Sequence, residues 1–294
     1  MTRRKWPVFP LSILLLLFTG LGCSAAMNVG SSMFDRNTYK EKLYTPAALD
    51  AQFLGIPDGE ATLLHFPSYN VLIDTGTNMS GRSVVELLRK QHILQVDLLV
   101  LTNNLEDYAG GAGEIIHELH VKKLIVPASL APSILRRIGA LDMPVRRVKK
   151  GDVLVLPEGA KIQVLLPTDP LLLSPEDNSL VLQLTYNKMK MLFTSGIHAE
   201  AERRLLGYNL RSQILKVSDE GCNAATDPFF LKKVDPQTSI IFTGSDGLSR
   251  KDVVRRLAED WSDVYQVCSK GTVHVLTNGH DYQIYTERLT KGSM

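Results

Sequence analysis

Cysteine is scarce in this chain of 294 residues: Cys23, Cys222 and Cys268 are all there is. Three cysteines give no zinc-finger spacing and leave at most one disulfide within the folded part. Charge of either sign is also in short supply as an excess, with 33 basic and 31 acidic residues and a net charge of +2. Residues 1–22 hold Arg3, Arg4 and Lys5 and no acidic residue, so removing them brings the remainder close to neutrality. Such a domain has no bulk charge to steer it to nucleic acid; only a local patch could do so. The apolar run Leu11 to Leu21 is shorter than the roughly 20 residues that span a bilayer. A Gly-x-Ser-x-Gly elbow, a Walker loop and a dinucleotide fingerprint are missing as well, which removes the motif-based cases for those chemistries.

What is present is a hydrophobic content of 44%, enough over this length for a full core and unlike a disordered or fibrous chain. The N-terminus carries a targeting pattern: three basic residues, the apolar run, then Gly22-Cys23-Ser24. Thr19-Gly20-Leu21-Gly22-Cys23 resembles a bacterial lipobox, with Gly20 where such boxes commonly carry leucine. The resemblance implies a signal peptide at 1–22, cleavage before Cys23 and lipidation of its thiol. An uncleaved anchor, or an ordinary signal cut near Ala25 or Ala26, is the alternative. Residues 23–46 are small and polar and read as a tether, and 47–290 as one folded domain. Pairing of Cys222 with Cys268 is left open.

From Ala51 onward short β-rich runs at 52–56, 61–66 and 70–74 are separated by Pro-Asp-Gly and Pro-Ser-Tyr turns, predicting an antiparallel meander. Helical spacing follows at 83–89, then a buried strand at 97–102 and a helix from Ala112 to Leu119 launched by Gly110-Gly111. A strand at 123–127 and a helix at 131–138 opened by Pro132 come next. Further strands are expected at 153–156, 162–166, 180–186, 190–194, 213–217, 239–243, 264–267, 272–276 and 282–285. Helices are expected at 199–206, 225–231 and 251–257. Strand-rich blocks with helices alternating at both ends predict an α/β fold of four layers, α/β/β/α, with two sheets face to face and helices outside. Arg146, Arg147, Lys149 and Lys150 form a basic cluster whose plain reading is a charged edge strand, against a nucleic-acid patch.

The loop after the central strand, Thr102-Asn103-Asn104-Leu105-Glu106-Asp107-Tyr108-Ala109-Gly110-Gly111, resembles the metallo-β-lactamase signature Thr-His-x-His-x-Asp-His-x-Gly-Gly. Within that superfamily the chain is most similar to the β-lactamase-like domain of ComEC-type DNA-uptake proteins. Leu72-Ile73-Asp74-Thr75-Gly76 and Asn178-Ser179-Leu180-Val181-Leu182 match that family's motifs without change. Asp58-Gly59-Glu60-Ala61, Phe193-Thr194-Ser195-Gly196-Ile197 and Leu215-Lys216-Val217-Ser218-Asp219-Glu220-Gly221-Cys222 match with substitutions. The resemblance implies the four-layer metallo-β-lactamase fold, with ligands expected at the carboxyl edge of the sheets.

It also locates a degenerate metal site. Asn103, Leu105 and Tyr108 stand where the loop histidines belong, Asp107 matches the aspartate, Gly196 replaces the second aspartate, and Asp219 or Glu220 replaces the distal histidine. Leucine and glycine donate nothing, and zinc prefers nitrogen and sulfur ligands to neutral amides, so zinc is not expected. Asn103, Asn104, Glu106, Asp107, Asp219 and Glu220 would converge as an oxygen-rich set beside Cys222. Such a set suits calcium, magnesium or manganese, with Asp107 and Asp219 the candidate ligands. The competing reading makes Asp107 a cap of the Gly-Gly helix. Asp74, Gly76, Gly110, Gly111 and Asn178 are expected to hold structure. His117 and His120, three apart on one expected helix, read as a solvated pair, and His65, His92, His198, His274 and His280 as isolated.

These readings converge on a lipid-anchored, extracytoplasmic protein of the bacterial envelope. It would have no catalytic residues and would bind a ligand or protein partner, with nucleic acid implied by the family resemblance alone. The rivals are a metal-dependent phosphodiesterase with a carboxylate-rich site, and an envelope assembly factor that makes no use of the pocket.

Overall fold

The computed structural model describes residues 48–243, 250–268 and 271–288. The expected signal peptide, Cys23 and the tether lie outside the described residues.

Strands β1 (Leu49–Phe53), β2 (Thr62–Phe66) and β3 (Tyr69–Ile73) form the antiparallel meander. Helix α1 (Asn78–Lys90), the two-residue β4 (Gln95–Val96) and the central β5 (Leu98–Val100) follow. Next come α2 (Glu106–Ala109), α3 (Ala112–Glu118), β6 (His120–Val121), β7 (Leu124–Pro127), α4 (Ala131–Ile138) and β8 (Val145–Val148). The second half holds β9 (Val153–Val155), β10 (Lys161–Leu166), β11 (Val181–Tyr186), β12 (Met189–Phe193), α5 (Ala199–Leu205) and β13 (Ile214–Lys216). It closes with α6 (Pro228–Val234), β14 (Thr238–Phe242), α7 (Lys251–Glu259), β15 (Asp263–Val267), β16 (Gly271–Thr277) and β17 (Tyr282–Arg288).

Two large sheets result, ordered β17-β16-β1-β2-β3-β5-β7-β8 and β15-β14-β13-β12-β11-β10-β9, beside a small β4–β6 pair. Their inner faces meet in one apolar layer where Phe53 packs 6.2 Å from both Phe193 and Phe242, ring centre to ring centre. Each such ring buried from water is worth about 1.5–3 kcal/mol. A second apolar layer joins the outer face of the first sheet to α1, α3 and α4, and a third joins the second sheet to α5, α6 and α7. Three apolar seams between four layers give the α/β/β/α architecture expected from the sequence. No helix among the described residues is long and apolar enough to cross a membrane.

Local differences from the sequence reading have physical causes. Helix α1 starts five residues before the expected Ser83, because the Glu106 carboxylate accepts the Asn78 N–H at 2.8 Å from across the fold. Helix α6 begins at Pro228 rather than Ala225, since Asp227 caps it by accepting the Phe229 N–H at 2.9 Å. The expected helical pairing of His117 with His120 does not form. Helix α3 stops at Glu118, and His120 instead pairs with Gln95 in the small β4–β6 sheet. The basic cluster begins on β8, the edge strand of its sheet, as its plain reading required.

The Gly110-Gly111 pair is needed for packing. A Cβ on Gly111 would stand 2.5 Å from the Thr75 carbonyl oxygen and 2.8 Å from the Gly81 Cα of α1, so α1 and α3 can approach only as glycine against glycine.

Candidate functional site

Loops following β3, β5, β12 and β13 gather at the carboxyl edge of the two sheets, because β3 and β5, and β12 and β13, run parallel in their respective sheets. Asp74 ends β3 in a left-handed conformation (φ 60°), and Gly76 beyond it takes φ 67°. The Asp74 carboxylate accepts the Thr102 N–H at 2.8 Å and the Thr102 hydroxyl at 2.7 Å, tying the end of β3 to the end of β5. Thr102 Oγ1 also lies 2.6 Å from Ser195 Oγ, which links both strands to the opposite sheet. Burial pushes the Asp74 carboxyl up to about 7 against the pull of the two Thr102 bonds and Lys216.

Asn103 is fully buried and its amide is committed to the loop itself. Its Oδ1 accepts the N–H groups of Asn104 and Leu105 at 2.6 and 3.0 Å, and its Nδ2 donates to Ser179 Oγ at 2.5 Å. An amide oxygen that already accepts two backbone donors is a turn-former. Asn178 performs a similar task nearby, accepting the Leu172 N–H and donating to the carbonyls of Leu172 and Ser174.

Tyr108 and Gly196 fit one another. The Tyr108 ring is buried, and a Cβ placed on Gly196 would stand 2.8 Å from the Tyr108 hydroxyl oxygen and 3.2 Å from the carbon bearing it. The phenol therefore fills the ground into which any side chain at position 196 would project. Burial, followed by the negative fields of Glu60, Asp219, Glu220 and Asp74, pushes the Tyr108 hydroxyl well above the ordinary range.

Beneath the ring lies an ion pair that the linear sequence does not disclose. Lys216 from β13 and Glu60 from the turn before β2 are both almost fully buried and form a short salt bridge. The Lys216 ammonium also donates to the Ser195 carbonyl at 3.0 Å and sits 5.8 Å from the centre of the Tyr108 ring. Burial drives the Glu60 carboxyl up to about 8, and Lys216 opposes that shift by its charge and its hydrogen bond. Glu60, Asp74, Thr102, Ser195 and Lys216 line a cavity of about 10 Å³, at the threshold for one water molecule and far below a hydrated cation.

The carboxylates outside this core divide. Glu106 does not join the others: it is exposed, bonded to Asn78 N and ion-paired with Arg137 at 2.5 Å, and those contacts hold its carboxyl below the usual range. Nor does Asp107 cap the Gly-Gly helix. It lies in the first turn of α2, whose N-cap position is Leu105, while Gly111 occupies the N-cap position of α3. Asp219 and Glu220 both take left-handed backbone conformations, with φ 44° and 49°. Glu220 is ion-paired with Arg250 at 3.1 Å, and its carboxyl is pushed up to about 7 by burial and then by the negative charge of Asp107. Asp219 meets His198 Nε2 at 3.4 Å, and His198 Nδ1 lies 3.3 Å from Asp177. Asp177 also accepts the His198 N–H at 2.6 Å. Cys222 and Cys268 are free thiols, so the pairing left open by the sequence is not made.

Among the described residues His198 is the imidazole found in contact with Asp219 at this edge, and sequence reasoning passes over it because it sits two residues beyond Gly196. Spacing alone could not have linked it to Asp177. Among the described residues no group of three or more His, Cys, Asp or Glu side chains is arranged to hold a metal ion. Tyr108 fills the space facing Gly196, Asn103 is spent on its own loop, and Leu105 carries no donor atom.

The four layers, the edge at which these loops meet and the order of the strands define a metallo-β-lactamase fold. Among solved structures the chain is similar to the metallo-β-lactamase fold protein YhfI from Bacillus subtilis, with a TM-score of 0.54 at 10% identity over 76% of this chain and 98% of that one. It is also similar to the CmlA β-hydroxylase, with a TM-score of 0.54 at 14% identity over 84% of this chain and 55% of that one. Among curated proteins it is 26% identical over 220 residues to ComE operon protein 3 of Bacillus subtilis, covering 67% of this chain and 27% of that protein. It is 26% identical over 199 residues to Recombination protein 2 of Haemophilus influenzae, covering 65% of this chain and 24% of that protein. The chain therefore spans about a quarter of the length of the curated relatives it matches. No family model matches it.

Proposed function

We propose that this is a lipid-anchored, non-catalytic metallo-β-lactamase-fold protein of the bacterial envelope that binds a protein or ligand partner in connection with DNA uptake. The observation that carries the non-catalytic reading is the closure of Tyr108 over Gly196. A hydrolytic metal site needs donors converging on an open coordination position for water. Here an aromatic ring fills that ground and an ion pair, Lys216 with Glu60, lies below it. The link with DNA uptake is supported by the similarity to ComE operon protein 3 and Recombination protein 2. The envelope location and lipid are supported by the lipobox-like segment ending at Cys23.

The deciding experiment is elemental mass spectrometry of the protein purified without chelator, then after incubation with zinc, manganese or calcium. Far less than one equivalent of each metal is expected. A stoichiometric metal that disappears in Asp107→Ala or Asp219→Ala overturns this reading in favour of a metal-dependent hydrolase. One observation keeps that rival in view: His198 and Asp219 stand in contact at the mouth of the site, and Glu220 is within the field of Asp107.

A further inference from the structure

At the opposite edge of the second sheet lies a cavity that the family motifs do not touch. Residues 212 and 213 enter β13, which then carries the chain to Lys216 and onward to Asp219, so the cavity opens where the parallel strands begin. It measures about 550 Å³, within the range of small-molecule sites, and is lined by Arg211, Gln213, Asp235, Gln237, Asp260 and Trp261, among others.

The balance of charge on its lining is negative. Asp235 is the C-cap residue of α6 and Asp260 that of α7, so two helices turn their negative ends toward this edge. Arg211 is matched at 2.8 Å by Asp235. Asp260 has no ion-pair partner among the described residues. Of the charged lining residues two are acidic and one is basic, so the lining carries one excess negative charge, which disfavours phosphate and carboxylate ligands.

Trp261 adds an aromatic face to this field. Its side chain is 94% exposed and its backbone takes φ 60°, a region that a bulky aromatic rarely adopts. Trp261 is one of the residues lining the cavity, and an indole on an anionic wall can attract an organic cation through its ring face. We propose that this cavity is a binding site for a small alkylammonium ion, with Trp261 as the stacking face and Asp260 as the counter-charge. The site is independent of the metal-like edge and of the reading given for it.

The test uses the protein purified in detergent, with Trp6→Phe introduced so that Trp261 is the only one of the two tryptophans whether or not residues 1–22 are retained. Its fluorescence is titrated with choline, with 3,3-dimethyl-1-butanol as the uncharged isostere, and with AMP as a planar anion. Choline is expected to give a saturable change at least tenfold tighter than the isostere, weakening as sodium chloride is raised, while AMP gives none. Calorimetry with Trp261→Ala and with Asp260→Asn should show at least a tenfold and a threefold loss of choline affinity, with unaltered melting of the protein. No saturable change with choline overturns the proposal. So does an equal response to the isostere, a tighter response to AMP, or undiminished choline affinity in both variants.

Discussion

The Tyr108 hydroxyl oxygen stands 2.8 Å from the point where a Cβ on Gly196 would lie, so the tyrosine and the glycine fit one another as a matched pair. Gly196→Ala should therefore destabilise the domain by about 1–3 kcal/mol through overpacking against a buried ring. Tyr108→Phe removes the nearest atom, and in that background the same glycine substitution should cost about half as much. Urea denaturation of the four proteins gives the coupling directly; additive effects would mean that the two residues do not share this space.

The Glu60–Lys216 pair makes a sharper demand. Lys216→Met leaves a buried carboxyl without its cation and should cost about 3 kcal/mol or more, whereas Glu60→Gln combined with Lys216→Met should be less damaging than the lysine change alone. A double variant that is less stable than Lys216→Met would show that the two charges do not compensate one another.

Much of the fold can be read from the chain because it is written in local pattern. The helix at Ala131–Ile138 follows from Pro132 in its first turn and its apolar spacing. Asp227-Pro228 is an available start signal for α6, and apolar spacing alone misplaces that helix by three residues. The site is less legible because its decisive contacts join distant residues: Glu60 to Lys216, Asp177 to His198, Glu106 to Asn78. The resemblance singles out Asn103, Leu105, Tyr108 and Gly196, but sequence does not reveal what their side chains meet. That Asn103 folds onto its own loop while Tyr108 plugs the interior is visible only in three dimensions.

Stability should fall as pH rises from about 5 to 8. Asp74, Glu202 and Glu220 are each pushed up to about 7, chiefly by burial, so the folded protein holds protons that the unfolded chain has released near pH 4. Their penalty is absent below the unfolded values and complete above the folded ones. His274 acts in the same direction: burial opposes its charge, but hydrogen bonds with Asp50 and Glu287 outweigh that and lift it above the ordinary range. Glu106 and Glu176 are lowered, so their contribution is lost only as pH falls below the ordinary carboxylate range. Urea midpoints at pH 5.5 and 8.0 test the sign, and Glu220→Gln should flatten the slope. Each tenfold difference in proton affinity between the folded and unfolded chain corresponds to about 1.4 kcal/mol.

For the N-terminus, Cys23→Ser should move the protein from the membrane fraction to the soluble one or leave it uncleaved. Mass spectrometry of the mature N-terminal peptide should find a diacylglyceryl-modified Cys23. An unmodified peptide starting near Ala25 or Ala26 would replace the lipid with an ordinary secretory signal.

Leu49 on β1 pairs with Thr277 on β16, and β17 then completes that side of the sheet. The first of the described strands to emerge during synthesis must wait for almost the entire domain before its outer neighbour exists. Contacts so distant along the chain slow the search for the native state, and until they close β1 is an open hydrogen-bonding edge. A chain cut ahead of Gly271 would keep its helices and most of its apolar seams, yet it would leave β1 free to recruit strands from other molecules. In the folded domain β16 and β17 cover the edge that β1 would otherwise present.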